Sequence, residues 1–245
     1  MDNDPSQIPV LPIPFEYGLT HFARSLEAGH ATVVAIGSST TAGEGNIPAY
    51  PGRLLSFLQN KYLTTNIAML NKGISGQEAP VELQRFDADV IASKPDLVIW
   101  QVGTNAIWQP ADQKPPTFDQ TTKAIREGLV KLREQTQADV ILMDLQYVPA
   151  VLTASKKDKA IAMVEAIGEL ARDASVNVFR RFAFMEGLHK VEGVSFDRMV
   201  DPADDSRLHD SDWATQRVAW ALSLAIIDGV NKVQSLTVVK ASESD

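Results

Sequence analysis

Four short polar segments carry the residues whose chemistry this chain could use. They are Gly37-Ser38-Ser39-Thr40-Thr41-Ala42-Gly43, Asn71-Lys72-Gly73-Ile74-Ser75-Gly76, Gly103-Thr104-Asn105 and, far downstream, Asp205-Ser206-Arg207-Leu208-His209. Together they offer a hydroxyl, backbone N–H groups beside glycines, a carboxamide and an imidazole. Those are the parts of an acyl-transfer site. A serine hydroxyl becomes a useful nucleophile when a base removes its proton. The tetrahedral intermediate then needs hydrogen-bond donors aimed at the new oxyanion.

The first three segments each follow a strand-like run: Thr32–Gly37, an apolar run suited to burial on both faces, Asn66–Asn71, and Asp96–Val102, the clearest central strand. Two more strands are expected at Asp139–Leu145 and Val176–Phe179. Between them, helical spacing of apolar residues predicts helices over Tyr50–Leu63, Pro80–Ser93, Phe118–Thr136 and Lys156–Ser175. A short amphipathic helix is expected within Glu16–Ala28. A closing helix is expected over Ser211–Ile227, with Ser211 or Asp212 placed to cap it. Val191–His209 reads mostly as loop. Strands alternating with helices imply a parallel sheet covered on both faces. The expected fold is therefore α/β, a single three-layer α/β/α domain on a five-stranded parallel sheet. Residues 1–30 form an arm with its short helix, 31–239 the domain and 240–245 a frayed tail. In such a sheet, ligands bind outside the carboxyl ends of the strands, so segments scattered in sequence can converge there.

Composition narrows the chemistry. Net charge is −8 over 245 residues, which disfavours phosphate-driven nucleic-acid binding and anionic membranes. There is no cysteine, so disulfides, thiolate catalysis and cysteine zinc sites are excluded. The glycine-rich turn after the first strand lacks a G-x-x-x-x-G-K-[ST] or G-x-G-x-x-G pattern, and G-x-S-x-G is missing too. His21, His30 and His189 each stand apart, which argues against a metal centre. No eighteen-residue apolar run spans a bilayer. Met1–Phe15 is acidic and proline-rich and unlike a secretory leader. The expected location is cytoplasmic as the chain stands, or periplasmic or secreted if a leader has been removed.

In order and spacing, the four segments resemble the blocks of the SGNH (GDSL-like) hydrolases, a family of flavodoxin-like esterases. The resemblance runs from about Ala31 to Ile227. It implies Ser39 as nucleophile and His209 as general base. It also implies an oxyanion hole of the Ser39 and Gly73 backbone N–H groups with the Asn105 side-chain amide. No cofactor is implied, and the expected substrate is a small-molecule or glycan ester. The chain departs from the pattern at Ser38 and Ala106, where the blocks carry aspartate. Ser206 likewise stands three residues before His209, where the family places its acid. Asp205 is the favoured replacement, with Asp204 a poorer one. A Ser39–His209 dyad oriented by Ser206 or a backbone carbonyl is the alternative.

Serine esterase is the leading reading. Carbohydrate O-deacetylation, acyl transfer or a non-catalytic binding domain are the others. Trp108, in a proline-bearing loop, and Tyr147, after the fourth strand, are expected to line the substrate pocket, with core packing the competing role for each. Trp100 reads as core. Asp204-Asp205, Asp210 and Asp212 read as solvated loop charge apart from the part given to Asp205.

Overall fold

The five strand-like runs become the five strands of a parallel sheet in the computed structural model, which describes residues 10–242. These strands are β1 (His30–Gly37), β2 (Asn66–Gly73), β3 (Leu97–Gln101), β4 (Asp139–Met143) and β5 (Asn177–Phe179). Val33 to Ile36, Leu97 to Trp100 and Ile141 to Met143 are fully buried, as strands covered on both faces must be. The spatial order is β2-β1-β3-β4-β5. The chain thus winds outward from β1 to β2, then returns past β1 to build β3, β4 and β5 on the other side.

Parallel neighbours need crossover connections, and helices supply them. α1 (Thr20–Glu27) precedes β1, and the single turn α2 (Ser39–Ala42) follows it directly. α3 (Tyr50–Lys61) leads to β2; α4 (Ala79–Gln84) and α5 (Phe86–Asp89) lead to β3. α6 (Thr104–Trp108) and α7 (Phe118–Gln135) connect to β4, and α8 (Lys157–Ala174) to β5. After β5 come α9 (Arg181–Lys190), α10 (Phe196–Met199) and the long α11 (Asp212–Ser242). α11 packs on α1 and α3 to make one layer, while α4, α7 and α8 pack in succession to make the other.

Three local differences from the sequence reading stand out. The helix expected over Pro80–Ser93 is broken into α4, α5 and a 3-10 turn at Ile91–Ser93. Arg85 sits at the break, its guanidinium reaching back to Gln77 Oε1 (2.7 Å) and forward to Asp89 Oδ2 (2.6 Å). α9 occupies a stretch whose apolar residues do not form a single stripe. α11 continues well past Ile227, through 240–242 of the expected tail; 243–245 lie outside the described residues. Ser211 is the cap of α11, its Oγ accepting the Ala214 N–H at 3.1 Å. Of the expected arm, residues 1–9 lie outside the described residues, and Val10 is tied by its N–H to Glu192 Oε1 (2.7 Å). Among the described residues no helix is long and apolar enough to cross a membrane.

Winding reverses between β1 and β3, and the carboxyl ends of those two adjacent strands flank a crevice where open α/β sheets take their ligands. Ser39 lies two residues beyond the end of β1, and Asn105 four beyond the end of β3.

Candidate active site

Ser39 and His209, 170 residues apart in sequence, meet at this crevice: His209 Nε2 lies 3.1 Å from Ser39 Oγ. The other ring nitrogen, Nδ1, lies 2.9 Å from Asp204 Oδ2. An imidazole bonded to a carboxylate through Nδ1 presents the bare Nε2 lone pair to a hydroxyl, the arrangement that lets a serine lose its proton as it attacks.

The carboxylate on the ring corrects the sequence reading, which favoured Asp205. Asp205 is exposed, whereas Asp204 is the hub of the loop. Asp204 Oδ2 also accepts the backbone N–H groups of Leu208 (2.9 Å) and His209 (2.7 Å). Its Oδ1 accepts the N–H (2.9 Å) and hydroxyl (2.5 Å) of Ser206. Arg207 takes a left-handed φ of 56°, which folds the loop so that the residue five before the histidine reaches its ring. Ser206 therefore braces the acid instead of touching the imidazole. Partial burial works to raise the Asp204 pKa. The hydrogen bonds from the His209 backbone, the Ser206 side chain and the Leu208 backbone, with the nearby imidazole, outweigh it and bring the group down to about 2.

The turn carrying Ser39 is held by Gln101, a residue with no counterpart among the sequence-selected set. Gln101 Oε1 accepts the N–H of Ser38 (3.0 Å), the hydroxyl of Ser38 (3.1 Å) and the hydroxyl of Thr41 (3.2 Å). Ser38, standing where the resemblance places aspartate, thus spends its side chain on the end of β3. Gly73 is required by close approach: a Cβ there would fall 2.2 Å from the Ala42 backbone nitrogen. β2 consequently lies directly against the α2 turn.

The groups expected to donate to an oxyanion differ in how they are engaged. Ser39 N–H opens α2, so it has no partner within the helix. Gly73 N–H, however, is donated to Asn71 Oδ1 at 2.9 Å. Gly76, in the same segment with φ of 80°, has an N–H with no acceptor among the described residues. The amide of Asn105 is buried beside that loop, with Nδ2 donating to Gln77 O at 2.7 Å; an NH₂ group has a second hydrogen to give. Gln109 Nε2 fixes the Gly76 carbonyl at 3.0 Å, and Ser75 Oγ bonds Glu44 Oε2 at 2.8 Å across the cleft. The sequence reading named Gly73 alone from this segment.

The two expected pocket residues separate. Trp108 is half-buried at the end of α6, its carbonyl bound by Lys156 Nζ at 2.8 Å. Tyr147 is instead a packing residue. Its ring meets Phe182 edge-on at 5.1 Å and stacks on Phe196 at 5.9 Å. Trp100 is core, with its indole N–H on Glu82 Oε2 (2.7 Å). His21 pairs with Asp96 (3.1 Å), and His189 Nδ1 sits 2.8 Å from Val194 O. Among the described residues no three Asp, Glu or His side chains gather as a metal-binding group.

Asp210 was read as solvated charge and is buried. It neighbours the buried Arg181, whose Nε donates to Asp144 O (3.0 Å) and Nη2 to Gln146 Oε1 (2.7 Å). Burial raises the Asp210 carboxyl to about 6, against the lowering effect of Arg181 and His209. Gln146 also accepts the Thr104 hydroxyl (2.9 Å) and donates to Leu208 O (3.4 Å), linking the Asn105 and His209 loops from below.

A cavity of about 20 Å³ adjoins the Ser39–His209 pair, bounded by Thr40, Ile47, Pro48, Ala49 and Thr215 among others. That is room for about one water-sized group.

Comparison with known proteins identifies the family and the fold. The model of the Non-GDSL lipase-like family matches residues 5–232. It replaces the GDSL-like label suggested by the blocks, in keeping with Ser38 at the aspartate position. An acetylxylan esterase of Geobacillus stearothermophilus is 29% identical over 126 residues, 48% of this chain and 57% of that protein. The match thus spans little more than half the length of that curated relative. The crystal structure of Axe2, an acetylxylan esterase from Geobacillus stearothermophilus, aligns with a TM-score of 0.64 and 22% identity over 82% of this chain and 94% of that one. LAE5, an alpha/beta hydrolase enzyme from the metagenome of Lake Arreo, Spain, aligns at 0.66 with 17% identity over 83% and 96%. At these identities what is shared is the fold. Forms of Axe2 described as catalytic mutants replace a serine, an aspartate and a histidine, the last two three positions apart.

Proposed function

The chain belongs to the Non-GDSL lipase-like family, and on that footing we propose that it is a serine esterase acting through an acyl-enzyme at Ser39. The observation that carries this reading is the pair of contacts on one imidazole, 3.1 Å to Ser39 Oγ and 2.9 Å to Asp204 Oδ2. His209 takes the hydroxyl proton as Ser39 Oγ attacks the ester carbonyl. Asp204, an anion, stabilises the imidazolium that forms. The oxyanion is received by the N–H groups of Ser39 and Gly76 and by the second Nδ2 hydrogen of Asn105. The imidazolium then protonates the departing alcohol. Water, deprotonated by His209, attacks the acyl-enzyme and releases the carboxylic acid. With Asp204 in place, the apparently missing acid is no longer a reason to read the chain as a non-catalytic binding domain.

Asn105→Ala tests the oxyanion part of this reading. Loss of one such donor costs on the order of 10²–10³ in turnover. Steady-state kinetics should therefore show a kcat drop of about that size with KM little altered. An unchanged kcat would remove Asn105 from the mechanism.

The acetylxylan esterase relative favours acetyl as the acyl group and carbohydrate as the alcohol. O-deacetylation of a glycan is therefore the specific form of the activity most in keeping with it. A series of aryl esters from acetyl to octanoyl, run beside an acetylated xylo-oligosaccharide, checks it. Rates should be highest for acetyl and propionyl, with acetate released from the glycan. Preference for octanoyl would contradict the small-acyl reading while leaving the esterase intact.

A further inference from the structure

We infer that Glu78 is a positioning residue for the oxyanion hole, clamping the loop after β2 to the loop after β3; the inference rests on the esterase reading. The Glu78 carboxylate is buried, 4% exposed, and binds four backbone N–H groups. Oε1 accepts those of Ala79 (2.9 Å) and Gly103 (2.8 Å). Oε2 accepts those of Asn105 (3.0 Å) and Ala106 (3.3 Å). Gly103 has a φ of 93°, so the peptides from Gly103 to Ala106 wrap around the carboxylate. The same side chain thus fixes the backbone of Asn105 from one side and stands two residues after Gly76 on the other.

Both proposed donors outside α2 depend on this one group. Asn105 Nδ2 bonds Gln77 O, the residue between Gly76 and Glu78, so the clamp closes a ring through side chain and main chain. Hydrogen bonds to a charged acceptor are stronger than neutral ones and hold geometry more firmly. No cation pairs with this carboxylate at contact distance among the described residues, so the four N–H groups are what compensates its burial. Glu82, one turn along α4, is also fully buried. Burial, and then the neighbouring charge of Glu78, push its carboxyl well above the usual range. Burial raises the Glu78 carboxyl as well, and its four backbone N–H bonds act against that rise. Misplacing a reacting group by about 1 Å can cost on the order of a hundredfold in rate.

Glu78→Gln is nearly isosteric but turns an NH₂ toward N–H donors, opening one side of the clamp. On an acetyl aryl ester, kcat should fall roughly ten- to a hundredfold, with KM within about twofold. In an Asn105→Ala background the same change should cost far less, because the two residues act through one element. Glu82→Gln, a neighbouring buried carboxyl outside the clamp, should retain wild-type kcat within a few-fold. Should Glu78→Gln not fold, Glu78→Asp, which keeps the charge but is one methylene short of spanning both loops, should show the same kcat loss. Wild-type kcat in a folded Glu78 variant would overturn the inference. So would an undiminished loss in the Asn105→Ala background or an equal loss in Glu82→Gln. If the wild-type protein cleaves no ester, the esterase reading fails instead, and amide NMR still decides the clamp. The Gly103, Asn105 and Ala106 N–H resonances should move upfield in Glu78→Gln, and unmoved resonances would overturn it.

Discussion

Alanine at Ser39 or at His209 should each lower kcat by on the order of 10⁶, and the double replacement should be no slower than either single one. The physical reason is that the two groups perform one act. Without the imidazole, the hydroxyl keeps its proton and is a poor nucleophile. Without the hydroxyl, the imidazole has no proton to take and at most activates water. What survives either loss is the binding and oxyanion contribution, on the order of 10³–10⁴ over water. Steady-state rates of the three variants on one aryl acetate give the comparison. Multiplicative losses would show that Ser39 and His209, though 3.1 Å apart, do not act as a pair.

Asp204→Asn should cost about 10⁴ in kcat, by analogy with the loss of the acid in the serine-protease triad, while Asp205→Asn should stay within about twofold, as exposed substitutions do. The amide of an asparagine facing Nδ1 favours the wrong tautomer, putting a hydrogen on Nε2 where the Ser39 proton must go. pH should separate the two residues as well. The hydrogen bonds and imidazole charge that lower Asp204 to about 2 prevail over its partial burial. Its folded pKa lies below the unfolded aspartate value of roughly 3.9. The stability it contributes is therefore complete above that value and disappears as pH falls through about 2. Asp204 is therefore ionised well below neutrality, and its own titration should add no step to the wild-type rate above pH 4. Equal losses from Asp204→Asn and Asp205→Asn would mean that the loop adopts a different register during catalysis.

The sheet was readable because its central strands are apolar on both faces, and a run such as Leu97-Val98-Ile99-Trp100 admits few other placements. Ser39, His209 and Asn105 were named because the short polar segments that carry them resemble family blocks in order and spacing. The acid was not, since Asp204 and Asp205 are chemically identical neighbours and only the left-handed turn at Arg207 decides which faces the ring. Gly73 was named from sequence and Gly76 was not, since the two differ only in their tertiary surroundings. The first is needed for its missing side chain against Ala42, and the second leaves its N–H unclaimed. Gln101, Glu78 and Arg181 were missed for a shared reason. Each serves by bonding backbone or side-chain groups distant in sequence, and no local spacing records that. Tyr147 stayed open between two roles because a tyrosine at a strand end suits a pocket and a core equally, and the aromatic neighbours Phe182 and Phe196 come from helices that only the tertiary fold brings near.

Covalent trapping tests the centre of the account most directly. A small aryl phosphonate ester, incubated with the full chain and followed by peptide mass spectrometry, should add one phosphonyl group on Ser39 in the wild type, far more slowly in His209→Ala, and abolish ester hydrolysis in proportion. A protein that hydrolyses esters yet keeps Ser39 unmodified while activity is lost to label elsewhere, or that retains full activity with Ser39 phosphonylated, would contradict it.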